Sequence, residues 1–315
     1  MEELKNYIKD TFDIDEAKFL EILKTNPNAR QNIYGILGEM LFKDYINDKG
    51  YDALRIKEKP EGGDNAKNED ARGDFYIKKK DNKNEEWYVV ECKSVKSNSE
   101  KRLGYTERDK CLRILNSFSI ERAKTVEKIY KSGMVAYERA KATWEKENKG
   151  TFPAFNWLKN NPGSFIPDLT GIWESEADIK AWLDKFPDDS FTEDAYWNLT
   201  SPIRLLQTHM PSTRVDPETG IKSTGPLVTE FNILCVNLIL KTGKHQFVFA
   251  NSEQLNHQRE SPNHLQQNYN IDILVEADGF QLHKLQEPWY TDLDECIAKT
   301  NPKPRKLDES QLDKR

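Results

Sequence analysis

Two short apolar runs, Asp74–Ile77 and Trp87–Cys92, place the strongest constraint on how this chain can fold. The connection between them, Lys78–Glu86, consists of polar residues. Two apolar runs around a polar connection are typical of a β-hairpin whose strands are buried in a sheet. We therefore predict two adjacent antiparallel strands, and the register of this hairpin decides which of their side chains meet.

The register predicts that two carboxylates face each other across the hairpin. If the turn is centred between Asn82 and Lys83, Asp74 lies directly opposite Glu91, with the two Cβ atoms about 5 Å apart. Lys93 is two residues beyond Glu91 on the same strand, so the two side chains share one face of the sheet. Two carboxylates and one ammonium group are therefore expected at one end of a buried hairpin.

Such a group of charges is costly to bury without a partner, and a divalent cation is the natural partner. Mg²⁺ is commonly held by one or two carboxylates and takes phosphate oxygens in its remaining positions. The metal would acidify an attacking water and stabilise the charge that develops on a phosphate. Lys93 would position that water or stabilise the phosphate charge. The alternative is an exposed hairpin end that bears ordinary surface charges.

The context of these residues carries more weight than the Glu-x-Lys triplet itself. The same triplet also occurs at Glu3–Lys5, Glu16–Lys18 and Glu147–Lys149. Only Glu91–Lys93 follows an apolar strand, Tyr88–Val90, and has an aspartate in facing register. The prediction of an active site therefore depends on the strand and on the facing aspartate.

Gly73–Phe75 together with Val89–Lys93 resembles the core motif of the PD-(D/E)XK nuclease superfamily. Gly38–Glu39, inside an amphipathic helical pattern, is similar to the helix that precedes that core. The resemblance implies an α/β fold, with a mixed central β-sheet flanked by helices, and Mg²⁺-dependent hydrolysis of phosphodiesters. Overall the chain is similar to type II restriction endonucleases, with one catalytic core, a helical insertion and no ATPase motif.

The resemblance also implies roles for individual residues. Asp74 and Glu91 would be metal ligands, Lys93 the catalytic lysine, and Glu39 an accessory acid. The alternative for Glu39 is an ordinary residue on the flank of an amphipathic helix. Gly73 departs from the family's motif, whose name places proline there.

Residues 96–146 form a basic segment in an acidic chain. They contain 13 Lys or Arg and 7 Asp or Glu, whereas the whole chain has a net charge of -6. A basic segment that begins just after the expected catalytic lysine is suited to follow a DNA backbone. We expect DNA contacts from Lys96, Lys101, Arg102 and Arg108, and a solvated helix surface for most of the other cations.

A second polar segment, residues 251–268, is dense in Asn, Gln, His and Arg. These are the side-chain types that read base edges in the major groove. Gln258 and Arg259 are therefore candidates for DNA recognition. For each residue taken singly, the alternative is a polar surface loop.

Hydrophobic periodicity and turn residues predict the other elements. A helix over residues 32–48 ends at Gly50, and the region from 144 to 197 contains five of the seven tryptophans. We expect those tryptophans to form a compact aromatic core, with a pocket for a flipped or methylated base as the alternative. Further strands are predicted at Tyr51–Ile56, Phe231–Leu240, Gln246–Ala250 and Ile271–Val275.

These elements predict three parts of the chain. Residues 1–100 and 225–290 form the catalytic core, and residues 101–224 form a mainly helical, aromatic-rich insertion that is a candidate DNA-recognition subdomain. Residues 291–315 form a C-terminal tail that is partly disordered. The four cysteines form no C-x-x-C pair, and no signal peptide or membrane span is visible, so we expect a soluble, cytoplasmic protein.

The sequence therefore predicts a sequence-specific double-stranded DNA endonuclease that uses Mg²⁺ and leaves 5′-phosphates. A homodimer is expected because a two-fold protein suits the cutting of both strands of a symmetric site, and a cognate DNA methyltransferase is expected in the host. The alternatives are a modification-dependent, repair or resolving nuclease with the same core, a catalytically silent DNA-binding module, and a protein-interaction scaffold.

Overall fold

The computed structural model of the protein describes residues 2–57, 72–83, 85–95, 108–157, 166–188, 200–205, 213–277 and 280–313. A mixed central sheet with helices packed against it organises these residues, which confirms the predicted α/β class. The helices are α1 (Glu2–Phe12), α2 (Glu16–Thr25), α3 (Pro27–Asp48), α4 (Arg108–Phe118), α5 (Arg122–Glu147), α6 (Glu176–Leu183), α7 (Ile239–Thr242) and α8 (Leu293–Thr300). The strands are β1 (Tyr51–Arg55), β2 (Phe75–Lys79), β3 (Glu86–Ser94), β4 (Thr200–Arg204), β5 (Arg214–Val215), β6 (Lys222–Ser223), β7 (Ile233–Asn237), β8 (Phe247–Asn251), β9 (Asn268–Ala277), β10 (Phe280–Leu285) and β11 (Arg305–Lys306).

The central sheet has the strand order β1-β2-β3-β7-β8, and β11 adds to it by pairing with β3. The β3 and β7 strands run parallel, and the other pairs are antiparallel. Helices α3 and α8 cover one face, where Phe42 and Leu293 are buried with Phe75. The opposite face buries Val89 and Leu234 under β9 and the loops around it. The predicted mixed sheet is therefore present, with β3 at its centre.

The hairpin of β2 and β3 has the register that the sequence predicts. Phe75 pairs with Val90, and Ile77 pairs with Tyr88. One residue before β2, the backbone N–H of Asp74 donates to the carbonyl of Val90 over 2.8 Å. This hydrogen bond is offset by one residue from the register of β2 and β3, so the chain departs from the predicted register at Asp74.

Helix α3 begins five residues earlier than the sequence pattern predicts. The side chain of Asn26 accepts a hydrogen bond from the backbone N–H of Ala29 and so caps the helix, which makes the start at residue 32 wrong. Phe42 and Ile46, one turn apart, are fully buried against the sheet. The predicted end is confirmed, because Gly50 adopts a φ of 78°, a conformation that glycine tolerates best.

The predicted hairpin after residue 230 is present, but its first strand is shorter than expected. β7 ends at Asn237, and the chain then forms the short helix α7 instead of continuing the strand to Leu240. The Asn237 side chain caps this turn by accepting the N–H of Ile239. Gly243 closes it with a φ of 70° before β8 returns antiparallel.

A second sheet joins the predicted insertion to the predicted core. It has three strands in the order β10-β9-β4, so β4 from the insertion pairs with β9 from the core. The boundary predicted at residue 224 is therefore wrong, because a strand before it completes a sheet with strands after it. The insertion is otherwise mainly helical, as predicted, and α4 and α6 bury Leu115 and Leu183 against Ile273 of β9.

The aromatic residues of the insertion pack as core. Trp173 and Trp182 lie against the cluster formed by α4 and α6, with ring centroids 5.6 Å apart. Tyr137 of α5 packs on Phe152 and Phe155 at 5.6 and 5.3 Å. The prediction of an aromatic core is confirmed for these described residues.

The C-terminal segment packs on the central sheet, so the prediction of a partly disordered tail is wrong for residues 291–313. α8 lies on the face shared with α3, and β11 pairs with β3 at Trp87 and Glu86. Leu312 then forms a bridge with Ile56, and the buried Gln311 accepts a hydrogen bond from the Tyr76 hydroxyl over 3.0 Å. Among the described helices, none has the length and apolar character needed to cross a membrane.

Candidate active site

Asp74 is fixed at the junction between the loop and β2. Its backbone N–H donates to the Val90 carbonyl, and its carboxylate Oδ2 accepts the backbone N–H of Cys92 over 2.6 Å. Both contacts are with β3, so the carboxylate is held beside the strand that carries Glu91. A charge-assisted bond of this kind fixes the orientation of the carboxylate as well as its position.

Gly73 has too little room for any side chain. A Cβ atom at this position would lie 2.6 Å from Cγ1 of Val89 and 2.7 Å from the carbonyl oxygen of Val90. These distances show that the backbone at Gly73 passes closely over β3. This close approach is a physical reason for glycine at the position where the related motif has proline.

Glu91 and Lys93 form an ion pair on β3, and their side chains are only 16% and 13% exposed. Burial raises the pKa of the Glu91 carboxyl, the Asp74 carboxylate raises it further, and Lys93 lowers it only in part. Two carboxylates share one ammonium group here. The site therefore has an affinity for additional positive charge.

Lys93 keeps its proton in this environment. Burial lowers the pKa of its ammonium group, but the attraction of Glu91 and Asp74 outweighs burial, and the net pKa is raised. Lys93 also donates to the backbone carbonyl of Cys92 over 3.2 Å. It therefore acts as a hydrogen-bond donor and a fixed positive charge at neutral pH.

Glu91 and Lys93 project from the same face of the sheet. Side chains alternate along a strand, so both share the face of Val89. Val89 and Tyr76 belong to one buried cluster, on the face opposite α3. Asp74 lies near enough to both residues for its charge to raise the pKa of Glu91 and of Lys93, so the structure brings the three charged groups together.

Glu39 has a different environment. Its carboxylate accepts a hydrogen bond from the guanidinium of Arg55 over 2.8 Å, and Arg55 pairs with Phe75, whose side chain faces α3. Glu39 also lines a narrow crevice beneath the end of β3, together with Lys93, Ser94 and Asn237. Among the described residues, no group of three or more His, Cys, Asp or Glu side chains is arranged to hold a metal. The structure places Glu39 in the same crevice as Lys93, and its role as an accessory acid stays a prediction.

The candidate DNA-binding cations fall into two groups. Lys96, Lys101 and Arg102 lie outside the described residues. Arg108 is described, and its guanidinium donates to the carbonyls of Leu183 and Phe186 and to the carboxylate of Asp188. These contacts tie the start of α4 to the end of α6, so they give Arg108 a structural role.

The polar segment 251–268 is tied into the protein by its own side chains. Gln258 accepts a hydrogen bond from the Ser223 hydroxyl and donates to the Leu265 carbonyl, so both ends of its amide are engaged. The Arg259 guanidinium lies over the Trp157 ring, 5.3 Å from its centroid. The contacts of Gln258 and Arg259 hold neighbouring loops together. Polar side chains often have this role, because the buried polar groups of loops need hydrogen-bond partners.

Three charged residues next to the site were not singled out from the sequence. Glu230 is 3% exposed and accepts from Nε of Arg214 over 3.0 and 3.4 Å. Arg72 also faces Glu230, with 3.7 Å between Nε and the carboxylate, and its backbone N–H donates to the Glu230 carbonyl. The sequence offers one signal for Arg72, which is its position two residues before Asp74. Glu230 lies three residues before β7, and that position gives no sign of a functional role.

The geometry can support metal-assisted chemistry on an anionic substrate. Two facing carboxylates supply oxygen ligands of the kind that Mg²⁺ prefers, and the adjacent ammonium group can stabilise negative charge. Comparison of the chain with protein-family models, with curated proteins and with solved structures finds no match.

Proposed function

We propose that the protein is a Mg²⁺-dependent DNA endonuclease. The observation that carries the proposal is that the Asp74 carboxylate, held by the backbone N–H of Cys92, lies beside the Glu91–Lys93 ion pair on β3. The motif that these residues form resembles the core of the PD-(D/E)XK nucleases. Asp74 and Glu91 would hold the metal, and Lys93 would act on the substrate.

The residues present fit a divalent cation. Both carboxylates offer oxygen, and burial together with Asp74 raises the pKa of Glu91 to about 8, so this carboxyl takes up a proton as the positive charge that the pair needs. A bound Mg²⁺ would supply that charge, acidify a water molecule and polarise the phosphate. The carboxylate of Asp74 is already oriented by the N–H of Cys92, so little rearrangement is needed to hold a ligand.

Lys93 would hold the attacking water or neutralise the phosphate oxygens. Its ammonium group has three donors, and one Glu91 oxygen and the Cys92 carbonyl account for two of them. Because burial and the neighbouring carboxylates fix its orientation, this lysine is a preorganised donor.

We propose cleavage of double-stranded DNA at a specific site, by a homodimer that leaves 5′-phosphates and is paired with a methyltransferase in the host.

The test is DNA cleavage in the presence and absence of Mg²⁺. Purified protein is incubated with phage and genomic DNA, methylated and unmethylated, and the ends of the fragments are sequenced. We expect discrete fragments with 5′-phosphate ends, and no cleavage when EDTA removes the metal. Light scattering gives the mass of the particle and so tests the homodimer.

Two variants connect the activity to the site. Glu91→Gln and Lys93→Met should each lower the cleavage rate by at least about a hundredfold and leave DNA binding largely intact. The matched controls are Glu147→Gln and Lys149→Met, which alter another Glu-x-Lys triplet, exposed at the end of α5. Unchanged cleavage by the Glu91 or Lys93 variant would refute the assignment of the site.

A further inference from the structure

Arg72 and Glu230 lie beside the pair formed by Asp74 and Glu91. Glu230 is almost fully buried, and two guanidinium groups, those of Arg72 and Arg214, face its one carboxylate. A third, that of Arg305, donates to the carbonyl of the preceding residue, Thr229. One buried carboxylate among three arginines leaves this group with a surplus of positive charge.

This group adjoins the candidate active site. Arg72 is joined to Asp74 through Gly73, whose backbone passes directly over β3. The backbone N–H of Arg72 donates to the Glu230 carbonyl over 3.1 Å. This hydrogen bond joins the segment that passes over β3 to the loop that leads into β7. Glu230 lies close enough to Glu91 for its charge to act on that carboxyl. The pair formed by Arg72 and Glu230 therefore lies beside the place where a phosphodiester would be cleaved.

The two arginines are held differently. The Nε atom of Arg214 lies 3.0 Å from the Glu230 carboxylate and makes a hydrogen bond, whereas that of Arg72 lies 3.7 Å away and makes a looser ion pair. Arg72 is also the more exposed of the two, at 24% against 16%. Arg214 thus anchors Glu230, and Arg72 remains accessible to a ligand from solvent.

We propose that Arg72 binds a phosphate of the DNA backbone at the active site and that Glu230 is its positioning residue. This inference rests on the proposed nuclease function. A guanidinium group matches the geometry of phosphate oxygens and can bind two of them at once. Glu230 contacts Arg72 at Nε, so the guanidinium is oriented before the substrate arrives. Binding of Mg²⁺ by Asp74 and Glu91 would neutralise the acids and increase the attraction for phosphate.

The test measures DNA binding by the full-length protein with Ca²⁺ in place of Mg²⁺, at several salt concentrations. The variants are Arg72→Gln and Arg72→Lys, and the control is Lys24→Gln, which removes a positive charge from the exposed surface of α2. Loss of one phosphate contact lowers the slope of log K against log salt by about 0.9. We expect this change for Arg72→Gln, with about tenfold weaker binding, and a wild-type slope for Lys24→Gln.

Arg72→Lys keeps the charge but loses the paired donors, so we expect a wild-type slope, weaker binding and slower cleavage in Mg²⁺.

Glu230→Gln removes a negative charge, so a purely electrostatic role of Glu230 predicts stronger DNA binding and an unchanged kcat. A positioning role predicts a lower kcat even where binding is retained. Thermal melting of each variant identifies any that fail to fold, and Arg72→Lys serves as the second variant in that case.

The outcomes separate this inference from the function on which it rests. If the wild-type protein neither binds nor cleaves DNA, both proposals fail. If it does, but Arg72→Gln keeps the wild-type salt slope, or Arg72→Lys binds and cleaves as the wild type does, Arg72 is not the phosphate ligand and the nuclease proposal stands. An unchanged kcat for Glu230→Gln would overturn the positioning role.

Discussion

Gly73 sets the position of Asp74, because its backbone must pass within van der Waals contact of β3. Alanine at this position would place a Cβ atom 2.6 Å from Val89 and 2.7 Å from the Val90 carbonyl. The chain or the strand would have to move, so we expect Gly73→Ala to lower the free energy of unfolding by about 3 kcal/mol. Urea denaturation measures this, and under the proposed function cleavage should fall with it as Asp74 shifts.

Gly35 provides the matched control for this substitution. It lies within helix α3, and a Cβ atom there would meet nothing within 4 Å. Alanine favours a helix over glycine, so Gly35→Ala should raise the free energy of unfolding by about 0.5–1 kcal/mol. Equal effects of the two substitutions would show that the crowding at Gly73 does not matter.

The buried His257 side chain should make the stability of the protein depend on pH. Burial lowers its pKa to about 4, whereas an unfolded histidine titrates near 6.5. As pH falls from 6.5 towards 4, the unfolded chain binds a proton that the folded chain does not, so folding loses stability; above 6.5 this effect is absent. Between pH 7 and pH 5 the cost is about 2 kcal/mol.

The measurement is urea denaturation of the wild type and of His257→Gln at pH 8 and pH 5. Any loss of packing in the variant appears at both pH values, so the difference between the two pH values isolates the proton. We expect the variant to lose less stability than the wild type on acidification. Parallel losses would mean that His257 is not the titrating group.

Asp74, Glu91 and Lys93 could be predicted from the sequence because one local hairpin contains all three. Their meeting depends on the turn between two adjacent runs, and the alternation of strand side chains gives the face. Arg72 and Glu230 meet through a loop contact across 158 positions of sequence, and no local pattern encodes such a contact. The accessory role of Glu39 was predicted only from the resemblance to a family. In the structure, its carboxylate accepts a hydrogen bond from Arg55 of β1.

At the scale of elements, β11 shows how a segment of two residues can complete a sheet. β7 pairs with β3 only from Val90 onward, and β11 pairs with the earlier part of β3, at Trp87 and Glu86. The polar and proline-rich sequence around it predicts disorder because propensity is a local property. The open edge of β3, which makes this segment fold, exists only in the assembled sheet.

Removal of this segment should therefore destabilise the whole sheet. A chain that ends at Pro302 loses Leu307 and Leu312 from the core and the hydrogen bond between Tyr76 and Gln311. We expect the free energy of unfolding to fall by about 4 kcal/mol, from two leucine side chains and several hydrogen bonds. Lys303→Ala, an exposed change in the same segment, should have little effect. Equal urea midpoints for the truncated and the full chain would contradict this account.

The segment 251–268 shows why side-chain type alone is a weak guide to an element's role. Asn, Gln and Arg can read bases, but the same donors and acceptors satisfy buried backbone groups. Gln258 does the second, with Ser223 and the Leu265 carbonyl as its partners. The distinction depends on which loops lie nearby, and those loops come from distant parts of the chain.

At the scale of the whole molecule, β9 connects the helical insertion to the central sheet. Tyr269 and Ile271 belong to the cluster above the central sheet, and Ile273, two residues on, belongs to the cluster formed by α4 and α6. The sequence predicted both parts and placed a boundary between them. It could not predict their shared strand, because β4 and β9 pair across more than sixty residues.

This shared strand implies that the two parts unfold together. Ile273 is fully buried, so Ile273→Ala should lower the free energy of unfolding by about 2–5 kcal/mol. Tryptophan fluorescence reports mainly the insertion, since five of the seven tryptophans lie between residues 144 and 197, and far-UV circular dichroism reports all helices and strands. We expect the two signals to give one midpoint in urea, before and after the substitution. Separate midpoints would show two independent domains.

The pairing of β11 with β3 also has a consequence for the order in which a ribosome delivers this chain. β3 carries Glu91 and Lys93, but the residues that cover its first half are made more than two hundred positions later. At about 5–20 residues per second, that interval lasts roughly ten to forty seconds. During this time the nascent chain holds β3 without a complete sheet. Under the proposed function, DNA in the producing cell would meet the fully assembled active site only after translation has passed β11.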